Sequence, residues 1–193
     1  MDLTQGTVKE KNDRAKRMML WFGIASMVMS FAGLTSAVLV SRKREDWLDD
    51  FVMPNGFLIS CVLIVISSLT FIVAKRAIKS NNRKLTTAML LTTFVLGIAF
   101  ILSQIQGFNE IIASGYYFTG PTSNVTMSFI YVIAALHILH VVAGLISILI
   151  VIYNHFKLKY DSENYLGLRL SATFWHFVDI LWIFLFVFLA YLI

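Results

Sequence analysis

The sequence has few charged residues, one cysteine and two prolines, and each shortage excludes a class of protein. Only 14% of its 193 residues are Asp, Glu, Lys or Arg, and 58% are hydrophobic, so nothing is left for a separate soluble domain. Cys61 stands alone in an apolar stretch, which excludes an internal disulfide and a thiolate metal site of the CxxC type. With no repeat and no Pro- or Gly-rich linker to divide it, the chain is expected to form one domain.

Five apolar stretches are long enough to cross a bilayer. They lie at about residues 18–40, 57–74, 85–105, 127–152 and 171–193, and about 20 apolar residues span a hydrocarbon core of about 30 Å. Backbone polar groups cannot stay unpaired in lipid, and strict alternation of apolar and polar residues is missing, so these spans are predicted to be helices and not barrel strands. The sequence therefore predicts an all-α, five-helix membrane domain over residues 18–193, preceded by a polar arm at residues 1–17.

The basic residues are distributed unevenly between the two sides of this predicted bundle. Thirteen of the sixteen Lys and Arg residues lie before the first span or in the segments 75–84 and 153–170, and three lie in the segment 41–56. The positive-inside rule then places the N-terminus in the cytoplasm and the C-terminus on the opposite side, which is the periplasm if the membrane is a bacterial inner membrane. We expect no nucleic-acid partner. The tight basic cluster Arg76, Lys79, Arg83 and Lys84 is a candidate site for anionic lipid headgroups.

Four ionisable side chains lie inside the last two spans: His137, His140, His176 and Asp179. Such groups cost about 2.5 to 3.5 kcal/mol each at bilayer depth, so we expect them to face the protein interior. Members of each pair are three residues apart and share a helix face. If the two spans are antiparallel neighbours, His140 can donate a hydrogen bond to Asp179. Gly144, one turn beyond His140, would allow close helix approach.

Several functions are compatible with this buried polar cluster. His137 or His140 together with His176 would form an axial ligand pair for haem b. The three histidines and the aspartate also have the ligand types of a transition-metal site, and Asp and His chains serve as proton relays. The simplest interpretation is a structural clamp between helices. A haem b electron-transfer protein and an independent transporter or proton channel therefore remain alternatives, of which the first predicts haem absorbance in the isolated chain and the second predicts activity without partners.

Two runs in these spans resemble a known family. The runs "LHILHVVAGL" (136–145) and "FWHFVDILWIFLF" (174–186) are similar to the most recognisable stretches of subunit III of haem-copper terminal oxidases, in the right order and on the last two helices. The segment "PNGFLIS…AKRAIKSNNRKLTTAMLLTTFVLG" also resembles that family's helix start and basic loop. The resemblance covers essentially the whole chain and fits the short, five-helix form of the subunit.

The resemblance implies an accessory membrane subunit with no catalytic residue and no metal of its own. Haem and copper would lie on the catalytic subunit I, beside which this chain would dock together with other oxidase subunits, in some cases within a respiratory supercomplex. The family's roles would be to stabilise subunit I, to hold structural phospholipid and to support proton uptake. The four ionisable residues fall on the family's buried polar positions, and Gly144, Trp175 and Trp182 on its packing positions.

The sequence departs from the family at one position in the first span. The run "SMVMSFAG" (26–33) carries Met27 where the family commonly has glutamate. A proton-related role that depends on that glutamate is therefore not expected of this chain.

Overall fold

The computed structural model describes residues 6–48, 51–120 and 123–192, and these residues form five α-helices and no β-strand. The helices are α1 (Val8–Ser41), α2 (Asn55–Lys79), α3 (Arg83–Ala113), α4 (Val125–Phe156) and α5 (Leu166–Leu192). All five are long and apolar enough to cross a membrane. The predicted all-α fold with five membrane helices is therefore confirmed.

Helix α1 begins ten residues before the span that hydropathy predicts, because its N-terminus is capped. The Glu10 backbone N–H donates to the Thr7 hydroxyl at 3.4 Å, and the Glu10 carboxylate accepts from the Thr7 backbone N–H at 2.8 Å. This reciprocal pair is a capping box. Residues 8–17 of the predicted polar arm are thus a helical continuation of α1.

Helices α2 and α3 form the tightest pair in the bundle. A three-residue connection joins them, with Asn81 in the left-handed conformation at φ 55° and the Asn82 side chain accepting from Leu85 N–H. At the far end of α2, a Cβ atom on Gly56 would lie 2.5 Å from the Gly107 backbone nitrogen. Only a glycine allows the two backbones to approach so closely.

The other helices assemble around this pair. Helix α5 packs against α2 and α4, and α4 also packs against α3, whereas α1 contacts only α4 and α5 within the described ranges. The buried residues of α1 all lie between Ile24 and Val38. Its N-terminal third therefore contributes no buried side chain, and α1 is the outermost helix of the bundle.

The loop between α4 and α5 is held at the end of the bundle where α1 starts. Arg83 Nη2 donates to the Tyr160 carbonyl at 3.0 Å, and the Asp161 carboxylate accepts from the backbone N–H groups of Asn164 at 2.6 Å and Glu163 at 2.9 Å. These backbone hydrogen bonds, from Asn164 first, lower the pKa of the Asp161 carboxyl. The loop is thus fixed against α3 by polar contacts outside the apolar core.

The α2–α3 contact is tested by Gly56→Ala, with Gly33→Ala as the matched control. A Cβ on Gly56 meets backbone atoms, which cannot move independently, whereas a Cβ on Gly33 meets nothing within 4 Å. We expect Gly56→Ala to lower the free energy of unfolding by about 1–3 kcal/mol, and Gly33→Ala to leave it unchanged or raise it by up to about 1 kcal/mol. Thermal unfolding in mild detergent measures both, and equal midpoints would contradict the close approach.

Candidate functional site: the polar core of the bundle

Two tryptophans of α5 donate hydrogen bonds to two serines of α2. Trp175 Nε1 donates to Ser67 Oγ at 3.0 Å, and Trp182 Nε1 donates to Ser60 Oγ at 2.8 Å. Both indoles are fully buried. The tryptophans are seven residues apart and so are the serines, so two antiparallel helices bring both pairs into register over two turns.

The Ser60 hydroxyl joins three helices at one atom. In addition to the indole of α5, it accepts a hydrogen bond from Gln104 Nε2 of α3 at 2.8 Å, and it donates to the Phe57 carbonyl at 2.6 Å. Ser60 and Gln104 are both fully buried. Because no water is available at this depth to replace a lost partner, this serine is a structural node of the bundle.

The Trp175 ring fills a slot between two glycines on different helices. A Cβ on Gly97 of α3 would lie 2.8 Å from Trp175 Cη2, and a Cβ on Gly144 of α4 would lie 2.8 Å from Trp175 Cε3. Helices α3 and α4 can therefore both approach the indole closely only because neither position carries a side chain. Gly144 and Trp175, both expected on sequence grounds to be packing residues, are thus in direct contact.

His137 lies at the centre of the bundle among aromatic rings. Its ring stacks on Trp182 at a centroid distance of 4.9 Å, and the rings of Phe31 and Phe100 meet it edge-on at 6.4 and 5.8 Å. The side chain is fully buried, and neither ring nitrogen has a hydrogen-bond partner among the described residues. The imidazole therefore serves as a packed ring joining α1, α3, α4 and α5.

His140 and Asp179 do not form the hydrogen bond that the sequence suggested. His140 Nδ1–H donates to the Leu136 carbonyl of its own helix at 2.8 Å, and its ring packs against Phe31 at 5.6 Å. Asp179 is 2% exposed, and neither carboxyl oxygen has a hydrogen-bond partner in the described part of the chain. The prediction was wrong because His140 satisfies its donor locally and faces α1, a neighbour that helix spacing alone does not reveal.

His176 is bonded to α2 and not to α4. Its Nδ1 shares a hydrogen bond of 2.6 Å with the Ser68 hydroxyl, and its ring lies 6.0 Å from that of Phe71. The Ser68 side chain also lies beside the Asp179 carboxyl. The four ionisable residues therefore do not form one cluster: His140 faces α1, His137 packs among rings of three other helices, and His176 and Asp179 lie at the α2–α5 seam.

The separation of the four ionisable residues is relevant to the hypotheses that they bind haem b or a transition metal. The described residues contain no group of three His, Cys, Asp or Glu side chains placed to hold a metal ion. Phe31, Phe100 and Trp182 surround the His137 ring, which leaves it no open side for an axial bond to a macrocycle. His137 is therefore not free to serve as an axial haem ligand, and the described side chains form no three-residue ligand group for a transition metal.

The basic cluster predicted to bind lipid headgroups is partly engaged within the protein. Arg83 is bonded to the loop carbonyl described above, and Lys79 Nζ lies 6.0 Å from the centre of the Tyr165 ring. Arg76 and Lys84 are exposed at the same end of the bundle. Half of the cluster thus holds the α4–α5 loop, and the other half points away from the protein.

An apolar groove separates the N-terminal third of α1 from α4 and α5. Its volume is about 420 Å³, and two of its lining residues are joined by a hydrogen bond of 2.8 Å from Ser147 Oγ to Ser171 Oγ. The lining residues are Lys16, Met19, Leu20, Ala143, Ser147, Gly167, Leu170, Ser171 and Phe174. Lys16 stands at the polar rim, where a second cavity also contains Lys159.

Sequence reasoning missed the serines and the glutamine that pair the buried donors. The sequence alone does not distinguish these residues from the small or polar residues that are common in membrane helices. They are Ser60, Ser67, Ser68 and Gln104. A signal was present, since the spacing of seven between Ser60 and Ser67 equals that between Trp175 and Trp182. It becomes informative only once α2 and α5 are known to be antiparallel neighbours.

The helix lengths, the apolar outer faces and the buried polar core define a multi-pass helical membrane protein. Comparison with known proteins places it more narrowly: residues 46–192 match the family model described as cytochrome c oxidase subunit III. The chain belongs to that family, as the resemblance in its last two helices predicted.

Individual relatives agree with this assignment. The chain is 27% identical over 189 residues to the cytochrome bo(3) ubiquinol oxidase subunit 3 of Buchnera aphidicola subsp. Acyrthosiphon pisum, a match covering 96% of this chain and 91% of the relative. It is 30% identical to the protein of that name from Pseudomonas aeruginosa, over 84% of this chain and 78% of the relative. It is 32% identical to the cytochrome c oxidase subunit 3 of Alkalihalophilus pseudofirmus, over 94% and 87%.

The absence of a partner for Asp179 is tested by Asp179→Ala, with Ser60→Ala as the control. We expect Asp179→Ala to leave the free energy of unfolding nearly unchanged. Removing an unpartnered buried carboxyl raises it by about 1–3 kcal/mol, and this offsets the cost of the small cavity left behind. Ser60→Ala leaves two buried donors without an acceptor and is expected to cost about 1–3 kcal/mol. Thermal unfolding in detergent compares the two, and an equal loss in Asp179→Ala would show that the carboxyl is bonded.

Proposed function

We propose that this chain is the accessory, non-catalytic subunit III of a haem-copper terminal oxidase in a bacterial cytoplasmic membrane. It docks beside the catalytic subunit I, which carries haem and copper, and it joins that subunit in the respiratory chain and in any supercomplex the oxidase forms. The single observation that carries the proposal is the family match over residues 46–192. The two runs that first suggested the family also meet in the core, where Trp175 packs on Gly144.

The proposal includes an orientation and a supporting role. We place the N-terminus in the cytoplasm, because the basic loops collect on that side, and the C-terminus in the periplasm. The subunit stabilises the catalytic subunit and supports its proton uptake during oxygen reduction. Since Met27 stands where the family commonly has glutamate, that support does not use a carboxylate on α1 at this position.

The assembly is tested by purifying the chain through a tag at its N-terminus from native membranes in mild detergent. We expect reduced-minus-oxidised spectra to show haem, metal analysis to show copper, and gels to show larger subunits in the same sample. The chain expressed alone is the control and is expected to hold neither haem nor copper. Haem in the isolated chain would instead support the haem b electron-transfer alternative, and transport by the isolated chain would support a transporter or channel.

We propose further that the groove between α1 and the α4–α5 pair holds a bound phospholipid. Its wall is apolar, as an acyl chain requires, and Lys16 at its rim supplies a cation for a phosphate headgroup. Lys159 adds a second cation in the adjoining cavity, which Asp13 also lines. Arg76 and Lys84 are exposed at the same end of the bundle and extend this headgroup zone. The groove therefore joins a hydrocarbon channel to a basic edge on one side of the membrane.

Lipid retention is tested by Ala143→Phe, which fills the groove, and by Lys16→Glu, which reverses the charge of its rim. We expect both variants to retain less phospholipid than the wild type, as measured by mass spectrometry of lipid extracted from the purified subunit. Leu102→Phe is the control, because Leu102 is 61% exposed on α3, a helix that does not contact α1. Equal lipid content in all four proteins would contradict the groove as the site.

A further inference from the structure

His176 combines depth in the membrane with incomplete burial. It is the eleventh residue of α5 and the sixth of the apolar span predicted at 171–193, so it lies about 8 Å inside that span. Its Nδ1 is bonded to Ser68, whereas Nε2 has no hydrogen-bond partner among the residues the structure describes, and the ring is only half-buried. One nitrogen of an ionisable side chain therefore points out of the bundle at a depth where lipid offers no polar partner.

The surface around this nitrogen is apolar. On α2, Val65, Ser68, Ile72 and Lys75 follow one another at spacings of three, four and three, so they form one stripe along the helix. Val65 is 43% exposed, and Ile180, one turn beyond His176 on α5, is 67% exposed. His176 is thus a polar point inside a hydrophobic surface that runs along the seam between α2 and α5.

The charge of this surface has one sign. Lys75 is near enough to interact electrostatically with His176. Asp179 is 2% exposed, so it lies behind the surface and presents no carboxylate to its outer side. In the tautomer in which Nδ1 accepts from the Ser68 hydroxyl, Nε2 carries the proton, so the described residues of the seam then offer a donor and a cation and no acid on the outer side.

We propose that the α2–α5 face formed by Val65, Ser68, Ile72, Lys75, His176 and Ile180 is the surface on which a transmembrane helix of another oxidase subunit docks, and that this helix presents a carboxylate to Nε2 of His176. The inference rests on the proposed function. A helix satisfies its own backbone groups and offers apolar side chains to Val65 and Ile180, whereas acyl chains carry no acceptor for the imidazole. A second copy of this chain would bring one Lys75 cation against another and offers no carboxylate on this face.

A pair of conservative variants separates docking from an internal role. His176→Asn keeps a polar atom near the position of Nδ1, which bonds Ser68, and removes the outward group. His176→Gln keeps a polar atom near Nε2 and removes the inward one. If the face docks a carboxylate, His176→Asn lowers the ratio of this chain to haem in the washed oxidase about fivefold or more, while His176→Gln retains most of the wild-type ratio. The reverse order, or equal retention in both variants, would overturn the proposal.

A second measurement leaves His176 in place. A photoreactive amino acid at Ile180 is expected to cross-link this chain to a larger membrane subunit of the oxidase, whereas the same probe at Val95, 62% exposed on α3, gives a different cross-linking pattern. Cross-links from Ile180 only to lipid, or to a second copy of this chain, would overturn the proposed surface. If the wild-type chain co-purifies with haem and copper and the probe at Ile180 still gives no cross-link to a subunit, only the proposed docking surface is contradicted. If haem and copper do not co-purify with the wild-type chain, the proposed function itself is contradicted.

Discussion

Hydrogen bonds from the indoles of Trp175 and Trp182 to the hydroxyls of Ser67 and Ser60 hold α5 in register against α2. In lipid, helices gain little by hiding apolar surface from one another, so close packing and polar pairing decide how they associate. Each such bond contributes only about 0.6 kcal/mol on average, but a slip of one turn would leave both buried indoles without acceptors. The equal spacing on the two helices therefore specifies the register more strongly than either bond alone.

Small residues allow the helices to pack closely in the register that the hydrogen bonds set. Gly56 and Gly107 let α2 and α3 meet backbone to backbone, and Gly97 and Gly144 open the slot that Trp175 fills. A large ring placed between two glycines gives extensive van der Waals contact at short helix separation. The result is a compact group of four helices, α2 to α5, to which α1 is attached along only part of its length.

This arrangement suits a subunit whose task is to support another. The polar groups that could bind a cofactor are separated from one another: His140 faces α1, His137 packs among rings of α1, α3 and α5, and His176 and Asp179 belong to the seam with α2. The sequence located all four residues but paired the wrong two, because a spacing of three shows that residues share a face and does not show which neighbouring helix the face meets. His140 bonds the Leu136 carbonyl of its own helix, an option open to a donor in any helix.

The sequence by itself determined the helical, five-span architecture, since twenty-residue apolar stretches in lipid have hardly another way to satisfy their backbone groups. It also determined the family, through the runs at residues 136–145 and 174–186. Only the tertiary structure decided that Ser60 and Ser67 are the acceptors of the buried indoles, that α1 packs on α4 and α5 along only part of its length, and that a groove lies where α1 leaves that pair. The physical reason is that hydropathy measures the transfer of a segment into lipid, whereas partner choice depends on side-chain shape and hydrogen bonds between helices far apart in the chain.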